Sequence, residues 1–361
     1  MTNPLRLSDM SDAWRTFWFR PEPTYTLGLV RIAFGALVIA WSLSLLTGLY
    51  EFFGADGVSH PGDVGPYRWS VFEIWTSGKV LLIGWVILLL AAIALTIGWH
   101  SRIASIVVFI LILSFDRRNP TVFNSGDMLI RIEALFLALS PCGAALSLDQ
   151  RRRMGDFWSA QVRPRWPIRL LQCQVSLIYL ATVNAKLSGI TWPQGTAVSY
   201  ALRLEDMVLL PVPDFIRLNA LLMNAATWGT LVLEFAIAIL VWNRAVRPWV
   251  LAAGILMHTG IMVTMAVGFF TLAVFVLYIA FIPPETVGRL VGKLRRSGEG
   301  PYSAAPETDG QPVVSVPVDK LPAGDGASSE SSSIRSLFGQ RLRPASTPPR
   351  RAPPRRRARA R

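Results

Sequence analysis

The stretch IYLATVNAKLSGITWPQG, residues 178–195, joins an apolar helical run to a Trp/Pro/Gly loop through a single lysine, Lys186. Apolar residues before it and chain-breaking residues after it put Lys186 where a membrane helix leaves the hydrocarbon. Asn184 stands two residues before the lysine and Trp192 six after it. The rest of the chain agrees with a membrane reading. Its 361 residues are 52% hydrophobic and 16% charged, and the mean hydropathy is +0.41. That is too apolar for an ordinary soluble domain. Several of the 13 Trp residues recur at the ends of apolar runs, where amphipathic rings sit at the headgroup level.

Working outward, apolar runs predict spans over about 27–48, 79–98, 103–115, MLIRIEALFLALSPCGAALSL, 168–186, 223–242, 249–267 and 269–284. The expected fold is all-α, a polytopic transmembrane bundle of about eight helices. Before it, residues 1–26 form an N-terminal segment whose WRTFWFRPEP run suits an interfacial helix. Residues 27–285 make the transmembrane domain. Residues 286–361 are expected to be a disordered Pro/Ser/Arg-rich tail, with too little apolar surface to fold.

The formal charge of +13 is concentrated in loop 149–169 and at the extreme C-terminus. In a membrane chain that pattern reports orientation and contact with anionic lipid rather than nucleic acid. Loop 149–169 is therefore expected in the cytoplasm with both termini, in a multi-pass protein of the cell membrane, and Lys186 on the outer face. Cys142 and Cys173 give no disulfide framework, and no Cys/His spacing suggests a metal site. The sequence carries no nucleotide-binding glycine loop, serine elbow or HExxH motif.

What remains is a set of polar groups in apolar helices: Lys186, Asn184, Glu234, His258, Asp127 and Arg131. Asp127 and Arg131 share a helix face and can pair, either as structure or as a site. Arg31, one turn into the first span, is expected to snorkel to the headgroups. Desolvation disfavours an ammonium, so a half-buried lysine can serve as a base; the competing reading of Lys186 is an interfacial anchor. His258 and Glu234 sit mid-run, where interhelix hydrogen bonds explain them as well as a site does.

Three pieces resemble one family. RPEPTYTLGLVRIAFG, IYLATVNAKLSGITWPQG and MHTGIMVTMAVGFF are similar to segments of the integral-membrane part of the vitamin K-dependent gamma-carboxylase and its bacterial HTTM-domain relatives. The resemblance covers roughly residues 14–285. It implies that Lys186 is the base that deprotonates a reduced quinone of the vitamin K or menaquinone type, in a lyase-like carboxylation driven by oxygen. Asn184, Asn124 and His258 would then orient or polarise the ring, and Trp192 would wall the site. Expected partners are the bilayer, a quinone or other isoprenoid lipid, and an exported protein substrate. Two departures stand out. FNSGDML keeps Asn124 but has Gly126 or Asp127 where the carboxylase has a histidine, and a low-complexity tail follows where the carboxylase has a lumenal domain. The alternative reading is a transporter or a structural partner of an exported protein, with Lys186 and Glu234 as interhelix glue.

Overall fold

A computed structural model describes residues 7–57, 70–74 and 77–298. Among these, helices α1 (Leu7–Phe19), α2 (Tyr25–Leu46), α3 (Leu49–Phe53) and α4 (Val71–Ile74) lead into α5 (Gly78–Ile97), α6 (Ser101–Arg118) and α7 (Ser125–Leu139). Then come α8 (Leu148–Met154), α9 (Trp166–Leu187), α10 (Ala197–Ala201), α11 (Asp214–Arg217), α12 (Ala220–Leu240), α13 (Arg247–Thr264), α14 (Phe270–Ile279) and α15 (Pro284–Gly298). Strands β1 (Pro21–Pro23) and β2 (Val162–Pro164) pair antiparallel, with Glu22 opposite Arg163. The chain is predominantly helical, as its composition requires.

Each of the eight predicted spans contains a helix. Among the described residues, α2, α5 and α12 are each long and apolar enough to cross a membrane, and α14 with α15 forms a pair that qualifies together across a 94° bend. Charges at Arg102, Asp116, Arg117 and Arg118 interrupt α6 at both ends. The outer face of α5 explains why this is a membrane fold. Ile83, Ile87, Leu90 and Ile97 are exposed there, and a helix that is apolar on its outward face requires lipid around it.

Two differences from the sequence reading have clear causes. The fourth span stops at Leu139 because Pro141 forces Ser140 into extended backbone. The expected tail begins helically, as α15 places Val287 and Val291 against Ala145 and Leu146; residues 299–361 lie outside the described residues, as does loop residue His60.

The core forms where α2, α5, α6, α7 and α14 meet, with Val30, Phe34, Leu88, Val108, Ile112 and Ile130 fully or almost fully buried. Helices α9, α12 and α13 pack beside it, and α14 touches both groups. Arg31 does not snorkel. It is fully buried, and its guanidinium donates to the carbonyls of Leu95, Thr96 (2.8 Å) and Leu146 (2.6 Å). Carbonyls at the end of α5 have no helical partner, so an inward arginine satisfies what the helix cannot. The turn itself is closed by Gly98 in the left-handed region, φ 75°, with Trp99 N–H reaching back to Ala94 O.

Candidate functional site

Helix α9 carries Tyr179, Thr182 and Lys186 on one face, since residues three, four and seven apart align on a helix. That face meets α12, α13 and α14. Lys186 Nζ donates to Glu234 Oε1 of α12 in an ion pair, with side chains 22% and 7% exposed. Thr182 Oγ1 donates to Glu234 Oε2 at 3.5 Å. The ammonium also lies 4.4 Å from the centre of the Trp192 ring, a cation–π arrangement. Trp192 can reach it because residues 190–196 fold back in tight turns, with Gly195 at φ 72°.

One helical turn and more below the lysine, Tyr179 Oη sits 2.7 Å from His258 Nε2 of α13 and hydrogen-bonds Tyr278 Oη of α14. Close approach of α13 to α14 depends on Gly254. A Cβ there would lie 2.5 Å from Tyr278 Oη and 3.0 Å from Ile237 Cδ1. His258 is 2% exposed, its Nδ1 has no hydrogen-bond partner among the described residues, and its ring tilts against Phe270 at 5.6 Å. Tyr179, Thr182, Glu234, His258, Tyr278 and apolar neighbours enclose one cavity of about 20 Å³. A space of that size holds a water molecule and no more.

Four of the candidate residues lie elsewhere or in other roles. Asn184 is exposed, because a residue two positions before Lys186 points to another side of the helix. Asn124 caps α7, accepting from Gly126 N–H at 2.7 Å. Asp127 completes the capping box at Asn124 N–H and accepts from Trp41 Nε1, both at 2.7 Å. The expected Asp127–Arg131 pair is therefore not made. Arg131 pairs with Asp116 of α6 instead, since the capping box turns the Asp127 carboxylate back over the helix N-terminus. Glu133, two residues further along α7, is 1% exposed with neither carboxyl oxygen hydrogen-bonded among the described residues.

The structure therefore joins Lys186, Glu234, Trp192 and His258 and separates Asn184, Asn124, Asp127 and Arg131 from them. It adds Tyr179, Thr182 and Tyr278. Tyr179 had a signal in its helical spacing from Lys186, whereas Tyr278 had none, because its partner lies 99 residues away. Among the described residues no group of acidic, His and Cys side chains is arranged to hold a metal ion.

This cluster falls within the segment matched by one family model, described as the HTTM domain, over residues 19–285. No curated protein and no solved structure matches the chain.

Proposed function

The chain belongs to the HTTM domain family, and from that premise we propose that it is a membrane-embedded proton-transfer enzyme whose base is the Lys186–Glu234 pair. The supporting observation is that pair, at the mouth of a closed polar cluster containing Tyr179, His258 and Tyr278. Moving one proton along the existing hydrogen bond converts ammonium and carboxylate into amine and carboxylic acid. In surroundings of low dielectric the neutral pair avoids the desolvation cost of two charges. The amine can then take a proton from an acid arriving at its exposed edge.

The substrate class in this reading is a reduced quinone of the vitamin K or menaquinone type, with carboxylation of an exported protein as the outcome that the gamma-carboxylase resemblance implies. The cavity of about 20 Å³ does not admit a quinone ring, so no step is assigned to a ring inside it. In this reading an aromatic substrate approaches Lys186 from outside, beside Trp192. The protein works in the cell membrane with Lys186 on the outer face and both termini in the cytoplasm.

One observation favours a second reading: an ion pair between facing helices is also what a structural staple or a transporter needs. Purified wild-type protein, Lys186→Met and Glu234→Gln separate the two. Lipid extracts analysed by mass spectrometry and oxygen uptake with a reduced menaquinone are the measurements. A quinone retained by the wild type, with uptake lost in both folded variants, supports the enzyme. Bulk phospholipid alone and no uptake, together with variants of lowered stability, overturns it in favour of the staple.

A further inference from the structure

The other end of α9 holds a cavity of about 690 Å³, far larger than the one near Lys186. Its walls come from distant parts of the chain: β1, β2, the start of α9, the turn between α12 and α13, and the segment before α15. Arg163, Arg165, Arg169, Arg244 and Arg247 line it against two carboxylates, Glu22 and Glu285. The volume falls in the range of small-molecule sites.

The arginines are built in, not scattered over a surface. Arg165 pairs with Glu22 at 2.7 Å and also donates to the carbonyls of Phe17 and Thr16. Arg169 donates to Phe17 O and Gln172 Oε1, and its guanidinium lies 4.5 Å from the Phe17 ring centre and 5.6 Å from that of Trp242. Arg247 donates to the carbonyls of Val241 and Trp242 and lies 5.6 Å from the Phe281 ring centre. Among the described residues neither Arg169 nor Arg247 makes an ion pair. Neutral acceptors and aromatic faces hold both planes in place. Each guanidinium still has an N–H group that no described residue uses.

Beneath the arginines the lining is apolar: Leu27, Ile168, Leu251 and Phe281. We propose that this cavity binds the phosphate group of an anionic amphiphile, with Arg169 and Arg247 as the principal phosphate ligands and the apolar floor taking the start of its chain. Planar guanidiniums match phosphate oxygens in paired hydrogen bonds. Topology alone does not account for the arrangement. Positive charge that merely sets orientation works from any position in a loop, whereas these arginines converge on one cavity from two stretches of chain, 163–169 and 244–247.

The test uses the full-length protein in detergent and native mass spectrometry with short-chain phosphatidate, short-chain phosphatidylcholine and inorganic phosphate as separate probes. Phosphatidate is expected to be retained roughly tenfold or more above phosphatidylcholine, and Arg169→Gln with Arg247→Gln to abolish the difference. Inorganic phosphate that does not displace it identifies the lipid as the ligand. Displacement by millimolar phosphate identifies a soluble phosphate compound using the same arginines. Equal retention of the two lipids, or retention unchanged in the double variant, overturns the proposal. Should the double variant fail to fold, Arg244→Glu at the exposed rim serves instead, and its failure to weaken phosphatidate binding is equally damaging.

Discussion

Lys186 and Glu234 are worth more together than either is alone. Glu234 is almost wholly buried, so Lys186→Met strands a carboxylate in apolar surroundings, a loss on the order of 3 kcal/mol for a buried pair and less here because the lysine is part-exposed. Adding Glu234→Leu should recover most of that loss. Thermal unfolding of the two single variants and the double variant in one detergent gives the coupling directly; additive losses would mean that the pair is not a unit. Asp149 makes a second residue-scale case. Burial alone would raise its pKa, but N–H groups of Ser101 and His100 and the charge of Arg153 hold it below the ordinary carboxylate value. Its folded pKa is thus lower than its unfolded one. Between the two the unfolded chain binds more protons, and the stabilisation is complete above about pH 5 and disappears as pH falls through the folded value. Asp149→Asn should flatten the acid limb of the unfolding temperature against pH; an unchanged limb would refute this.

At the scale of elements, the packing is fixed by a few positions where one helix must come close to another. Arg31 ties α2 to the end of α5 and to the loop at Leu146 through three carbonyls. Arg31→Met removes the side-chain donor from all three carbonyls, leaving Leu95 O only its bond from Gly98 N–H, and a loss of about 3 kcal/mol is expected. Arg31→Lys should recover little, because a single ammonium cannot span three acceptors with the geometry of a guanidinium; full recovery in thermal unfolding would show that charge alone suffices. Gly254 plays the corresponding part between α13 and α14. Gly254→Val should cost about 1–3 kcal/mol by overpacking and, by displacing Tyr278, disturb the Tyr179–His258 contact as well. Histidine resonances of the labelled protein report this, since the chain has three histidines, His60, His100 and His258, which single substitutions assign.

For the molecule as a whole, the two candidate sites lie at opposite ends of one helix. From Arg169 to Lys186 the rise is about 25 Å at 1.5 Å per residue, close to the thickness of the hydrocarbon. In a Cys173→Ser background, a cysteine at Ser188 and one at Val162, both exposed positions, should react with a membrane-impermeant maleimide from opposite sides of sealed vesicles. Labelling of both from the same side would show that α9 does not cross the bilayer.

The helices were legible in the amino-acid order because apolar runs act over a few residues, although the stop before Pro141 and the cap at Asn124 emerged only in the structure. Lys186 was legible too, since a charge at the end of such a run has a cost that local context reveals. Composition likewise determined that the molecule belongs in a membrane. The partners of these residues were not local. Glu234 is 48 residues from Lys186, Tyr278 is 99 from Tyr179, and Leu146 is 115 from Arg31. Spacing alone favoured Asp127 with Arg131 and an arginine pointing to water. Tertiary packing decided otherwise, because a buried polar group takes whichever partner the folded chain brings within hydrogen-bonding distance, and helix period carries no record of that.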